Sequence, residues 1–431
     1  MEKIELININ VKKSDAIIHF SVSEGLKKYF RDDELRLRYP VDCDEVPESL
    51  MAVPFVANVI TIVWVADCEL IIPQLDKAFY KCLEKVKSGY EKMFPKLSFK
   101  GSIRAKDLVE NKCATGRCAM FYSGGLDSVD TFVRHVDEKP DLISIWGSDI
   151  KYDNMRGWNV AHDIIKHTAE DYQFADFVVR SSFRDQIDTG ALNNDYRSLM
   201  DDNWWHGLQH SLGLLGHVAP LAYMRGYEKM YIASSFTTET FERIKVKCAS
   251  NPFTDNEVRF CNCRVVHDGP DCSRMDKTAN VVRYCSAHSV DLPLHVCWES
   301  QSGGNCGVCE KCLRTIVMLI SQGADPVKYG FSDFKDKFFL ERSLRVVRET
   351  CYKNRKLGNT QYNWTCSSEA LKVHPEYCDS YAGDFAKFLC WVRDADFNSQ
   401  EFREEPSFLK RQRLQHRIRQ ILSKIYHGVI R

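Results

Sequence analysis

The segment Met120–Asp130, MFYSGGLDSVD, restricts what this chain can fold into more than any other stretch. Ala119 to Tyr122 is a short apolar run that reads as the end of a strand. Ser123-Gly124-Gly125 is a tight small-residue turn, and Leu126, Val129, Phe132 and Val133 follow at helical spacing. Strand, glycine turn and helix together aim backbone N–H groups and a helix N-terminus at an anion. The glycines allow close backbone approach, and the Ser123 and Ser128 hydroxyls offer further hydrogen bonds. The kinase-type phosphate loop is excluded, because its Gly-Lys-Ser/Thr ending is missing.

The rest of the central region reads as α/β. Asp141–Trp146, Phe177–Arg180 and Met230–Ala233 are apolar strand candidates, with a helix over 160–170 and a long helical pattern from Trp204 to Tyr223. This alternation predicts a doubly wound parallel sheet, with ligands at the carboxyl ends of the strands. The SGG turn and Ser234-Ser235 both fall at such ends.

Before it, residues 1–105 read as an α+β accessory domain, for docking or dimerisation, with no chemical motif. Ile4–Ile9 and Ala16–Ser21 are strand candidates. Val53–Val65 reads as one or two buried strands, and Pro73–Met93 as a helix stopped by Pro95. The central domain spans 115–325, and 326–431 reads as helical. Within the latter, Phe408–Ile430 places Leu414, Ile418, Ile421, Leu422 and Ile425 on one face and basic residues on the other. That pattern suits a solvated helix docking on its own domain, or a surface for nucleic acid or membrane.

At 431 residues the chain has 59 basic and 59 acidic side chains, so no overall charge favours nucleic acid or membrane. No apolar run spans a bilayer, and the first residues lack a signal-peptide core. Eighteen cysteines are then expected as reduced thiols and metal ligands in a cytoplasmic protein. Cys297-x8-Cys306-x2-Cys309-x2-Cys312 has the composition of a closed four-thiolate site, for zinc or an iron–sulfur cluster. Cys261, Cys263, Cys272 and Cys285 form a looser group. Between 250 and 280, Asp255, His267, Asp268, Arg274, Asp276 and Lys277 crowd together more closely than a plain core requires.

SGG-x-DS at a strand end resembles the signature of the PP-loop ATP pyrophosphatases, which have an adenine nucleotide alpha hydrolase-like fold. Joined to Asn305-Cys306-Gly307-Val308-Cys309-Glu310-Lys311-Cys312-Leu313-Arg314, it resembles 7-cyano-7-deazaguanine synthase over roughly residues 115–320. The resemblance implies ATP, Mg²⁺ and a structural Zn²⁺ on Cys297, Cys306, Cys309 and Cys312. It implies an adenylated carboxylate, 7-carboxy-7-deazaguanine or a related 7-deazapurine, with ammonia or a protein amine as acceptor. Ser123, Gly124, Gly125, Leu126, Asp127 and Ser128 would hold the nucleotide, with Ser234 and His206. Asp127 would serve Mg²⁺ and Lys277 the α-phosphate, although the acidic residue of the family's K-x-E/D-I pattern is absent here. Asp255, His267, Asp268 and Arg274 are the substrate candidates.

Two departures stand out. The family's Tyr-Pro-Asp-Cys-Arg element is replaced by SNPFTD and FCNCR, and the flanking regions are additional. Divergent relatives occur in bacterial antiviral defence operons, where a deazaguanine can be attached to a protein partner encoded nearby. The other readings are a PP-loop RNA-modifying enzyme and a non-catalytic nucleotide-binding scaffold in a defence complex.

Overall fold

The structure, a computed structural model, describes residues 2–411 apart from 114–115, 245–246, 298, 301–303 and 357, and also residues 413–415 and 418. The chain forms two compact units. The first comprises Met1–Glu242, Lys247–Tyr284 and Leu292–Gly304. The second comprises Arg243–Val246, Cys285–Asp291 and Asn305–Arg431.

The first unit is α/β, built on one eleven-stranded sheet. Its strands are β1 (Lys3–Lys12), β2 (Asp15–Val22), β3 (Glu34–Arg38), β4 (Glu69–Asp76), β5 (Ser102–Val109), β6 (Arg117–Phe121), β7 (Asp141–Trp146), β8 (Asp176–Ser181), β9 (Tyr227–Ala233), β10 (Arg259–Phe260) and β11 (Cys263–Asp268). Their order is β10-β11-β9-β6-β7-β8-β3-β2-β1-β4-β5. The run β11-β9-β6-β7-β8 is parallel throughout. All six residues of β7 are buried, as expected for a strand covered on both faces.

The sequence sets residues 1–105 apart, but the structure runs their strands into the same sheet. β3 pairs antiparallel with β8 through Leu37↔Ser181 and Arg38↔Arg180. The Ser182 amide extends this seam by donating to Arg36 O at 3.0 Å. Chain sequence alone does not say which strand a strand will pair with.

Two local expectations are corrected. Val53–Val65 is a helix, with all thirteen residues buried. A run that is apolar on every side has neither a period of 2 nor one of 3.6, so its length, and Pro54 in the first turn, are the better guides. Within Pro73–Met93, the strand β4 continues through Pro73 to Asp76, and the helix begins at Lys77. Asp76 caps it by accepting from the Phe79 amide at 2.9 Å. Pro73 interrupts the β4–β5 register between the paired residues Ile72 and Gln74, as expected of a residue without an N–H.

The helix Val53–Val65 packs closely on the helix His210–Gly216. A Cβ on Gly216 would lie 2.3 Å from the Ala57 Cβ and 3.2 Å from the Val53 carbonyl oxygen. Gly216→Ala therefore has to push two buried helices apart, and it is expected to lower unfolding stability by about 1–3 kcal/mol. Urea denaturation checks this, and an unchanged midpoint would contradict the packing described.

In the second unit the helices Glu310–Ser321, Leu340–Lys353, Asn359–Val373 and Gly383–Asp394 surround buried Trp364 and Phe388. This agrees with the helical reading of the region. Of the amphipathic stretch 408–430, Leu414 and Ile418 are exposed. Ile421, Leu422 and Ile425 lie outside the described residues.

Candidate functional site

The glycine turn follows β6 and opens the helix Leu126–His135. Gly124 has φ +72°, and a Cβ there would lie 3.3 Å from the His295 Cβ and 3.4 Å from Ile164 Cγ2. Its carbonyl accepts the His295 amide at 2.7 Å. Both the left-handed backbone and the close neighbours require glycine at this position. Ser128 Oγ donates to Gly125 O at 2.9 Å and accepts from the Ser123 amide at 3.2 Å. Ser123 Oγ in turn accepts from the Gly125 amide at 3.3 Å. The two serines thus brace the turn from within. The helix N-cap is Gly125, with no side-chain cap, so the first-turn N–H groups have no side-chain acceptor there.

Asp127, in that first turn, is the centre of a charged cluster. Arg274 Nη2 donates to its Oδ2 at 3.1 Å, and Lys277 Nζ to its Oδ1 at 3.2 Å. Both cations come from the start of the helix Arg274–His288. Ser235 Oγ adds a contact to Oδ2 at 3.4 Å. Lys277 is only 1 % exposed and also donates to the Ser234 carbonyl oxygen. Burial pushes the Asp127 carboxyl up, but the adjacent guanidinium and ammonium outweigh it, so the group is held well below the usual carboxylate range. The elements that meet here follow β6, β9 and β11, which are neighbours in the parallel run, and they meet at its carboxyl edge.

Ser234 enters through its carbonyl. Its hydroxyl is turned to the Phe236 carbonyl and its amide donates to Asp268 O at 2.8 Å. The side chain of Asp268 is held by Arg134 through one oxygen and by His135 Nε2, at 2.9 Å, through the other. Arg134 also bonds buried Asp130 at 3.0 Å, and Asn280 donates to Asp130 at 2.9 Å. These contacts tie the loop helix to β11 and to the lysine-bearing helix. Asp130 and Arg134 belong to no motif, and their i,i+4 spacing on the loop helix is the one signal in the sequence that could have found them.

His267 precedes Asp268 on β11 and so projects from the other face of the sheet. Its Nδ1 pairs with Asp255 Oδ2 at 2.8 Å, and both residues are buried. Ser250 Oγ donates to the same oxygen at 2.8 Å, and Ser211 Oγ to Oδ1. His206 Nδ1 pairs with Asp202. Of the four substrate candidates, Arg274 therefore stands with Asp127, Asp268 anchors the loop helix, and Asp255 with His267 forms a separate buried pair. The hydrogen bonds that brace the glycine turn do not include His206, whose side chain is engaged at Asp202 instead.

The Cys297, Cys306, Cys309 and Cys312 sulfurs all lie within 4.8 Å of one another. The Cys309 amide donates to the Cys306 sulfur at 3.3 Å. The Cys306 and Cys312 sulfurs are 3.9 Å apart, close to the edge of about 3.8 Å of a tetrahedron with Zn–S bonds of about 2.3 Å. The donor set fits one tetrahedral metal ion such as zinc. Among the described residues this is the only group of its kind, and Cys261, Cys263, Cys272 and Cys285 do not form another.

No family model, curated protein or solved structure matches this chain. No helix among the described residues is long and apolar enough to cross a membrane.

Proposed function

We propose that this chain is an ATP-dependent synthase or ligase of the PP-loop ATP pyrophosphatase type, which adenylates a carboxylate and releases pyrophosphate. The observation that carries this reading is the convergence of Lys277 and Arg274 on Asp127 in the first turn of the helix that follows SGG. Two fixed cations and a run of uncapped helix N–H groups face one point, an arrangement complementary to a polyphosphate.

In the reaction proposed, a carboxylate oxygen attacks the α-phosphorus and the bond to pyrophosphate breaks. Lys277, buried and oriented by Ser234 O, offsets the charge that builds on the phosphate oxygens. Arg274, at the mouth of the cluster, neutralises the departing pyrophosphate. Asp127 keeps both cations aimed, and with three donors on its four lone-pair sites it retains one oxygen position for Mg²⁺, which would supply Lewis-acid charge. Zinc on the four cysteines would be structural, since four thiolates leave no open position. The substrate class offered by the sequence resemblance is a 7-deazapurine carboxylate, with ammonia or a protein amine as acceptor, in a setting of antiviral defence.

The test is AMP and pyrophosphate formation from ATP, Mg²⁺ and 7-carboxy-7-deazaguanine, with Asp127→Ala as control. The expected result is carboxylate-dependent AMP, lost in the variant. AMP formation that ignores the carboxylate, or none at all, would overturn this reading.

A further inference from the structure

The Lys277 ammonium is supported along two lines of contact, and both start at Asp130. The first runs between helices. Lys277 Nζ donates to Asp127 Oδ1 at 3.2 Å, and three residues on in each helix Asn280 Nδ2 donates to Asp130 Oδ1 at 2.9 Å. Residues three apart share a helix face, so these bonds are successive rungs between the loop helix and the helix Arg274–His288. The second rung fixes where the lysine's own backbone stands relative to Asp127. Asn280 Oδ1 accepts from Arg283 Nη1 at 3.3 Å, which leaves its NH₂ to face the carboxylate.

The second line leads to the carbonyl that holds the ammonium. Arg134 Nε donates to Asp130 Oδ2 at 3.0 Å, and Arg134 Nη2 donates to the Asp268 carboxylate. The Asp268 carbonyl accepts the Ser234 amide at 2.8 Å, and the Ser234 carbonyl accepts from Lys277 Nζ. The circuit closes on the lysine, and every bond in it joins named atoms. Asp130 is fully buried. A buried carboxylate is costly unless its partners are in place. This one divides its two oxygens between the helix that carries the lysine and the chain of bonds that ends at the lysine's acceptor.

The geometry points to Asp130 as the positioning residue for Lys277: through Asn280 it places the helix that carries the ammonium, and through Arg134 and Asp268 it places the carbonyl that aims it. This rests on the adenylation proposed above. Asp130 itself meets no substrate and moves no proton. Its action falls on the rate of the chemical step, because Lys277 offsets charge that grows only as the bond to pyrophosphate breaks, and a small misplacement of such a charge is felt in the transition state.

Asp130→Asn supplies one acceptor where two are needed, so either Arg134 or Asn280 faces an NH₂ group. In ATP–pyrophosphate exchange with 7-carboxy-7-deazaguanine, kcat should fall by about ten- to a hundredfold while KM for ATP stays within about twofold. The reciprocal pair Asp130→Asn with Asn280→Asp keeps every bond. The new amide accepts from Arg134 and donates to the new carboxylate, whose other oxygen still takes Arg283. Its kcat should return to within about threefold of wild type. In Lys277→Ala, adding Asp130→Asn should change kcat by less than about twofold, because groups that act as a unit are not additive. A residue that only held the fold together would lower the rate equally in both backgrounds. Should Asp130→Asn not fold, Asn280→Ala, which cuts the first line alone, carries the same comparison. Unchanged kcat, no recovery in the reciprocal pair, or an equal loss in the two backgrounds would overturn the proposal while leaving adenylation standing. No carboxylate-dependent exchange in wild type would remove both readings.

Discussion

Lys277→Ala is expected to lower carboxylate-dependent ATP–pyrophosphate exchange by about two to three orders of magnitude, the range seen when a preorganised charge at a transition state is removed. The effect is large because the ammonium is fixed before the nucleotide arrives. It is almost fully buried, held by Asp127 and by the Ser234 carbonyl. Lys277→Arg is not expected to rescue it. The side chain is only 1 % exposed, so the broader guanidinium has little room.

The same variant carries a pH signature. The Asp127 carboxyl is depressed in the folded chain, so its pairing stabilises the fold above the unfolded carboxylate pKa of about 3.9 and that contribution is lost as pH falls through the folded value. Removing Lys277 lessens the depression. The gap in thermal midpoint between wild type and Lys277→Ala should therefore be widest near neutrality and narrow below about pH 4. A gap that grows with acid would contradict the pairing.

Cys309→Ser is expected to abolish metal binding at the four-cysteine group. Structural zinc sites contribute on the order of 10 kcal/mol of binding free energy, and that energy depends on all four thiolates. Cys309 is the N-cap of the helix Glu310–Ser321, and Cys312 lies in its first turn. Glu310 accepts from Trp364 Nε1 at 2.9 Å and pairs with Arg314 at 3.5 Å. Loss of the ion thus acts on a helix that the second unit uses for its own packing. Metal analysis of the purified protein should give one zinc per chain, falling to under about a tenth of that in the variant, with a lower thermal midpoint. Full zinc in Cys309→Ser would exclude these sulfurs as the ligands, and iron with acid-labile sulfide would replace zinc by a cluster.

The two densest motifs are legible in the sequence because their chemistry is local. SGGLDS sets a turn within six residues, and three of the four cysteines fall within seven. The parallel strands around the loop are also legible from their apolar runs. What brings Asp127 to Lys277, 150 residues away in sequence, is strand order, and strand order is written in no single segment. His206 illustrates a subtler loss. The family resemblance suggests a nucleotide contact for it. Its partner Asp202 lies four residues earlier, and the His206 carbonyl takes the amide of Ala249, more than forty residues further on. Val53–Val65 misleads because uniform burial erases the periodicity on which helix and strand are told apart.

The seam between β3 and β8 makes this a chain that resists dissection. A cut after residue 105 would keep the part that bears the loop, but it would leave β8 as a bare edge, with unpaired amides and carbonyls open to any passing strand. It would also strip the helix Val53–Val65 from the helix His210–Gly216, exposing apolar surface that the first hundred residues now cover. Those residues behave as flooring rather than as an annexe, and whoever transplants the loop must carry them along.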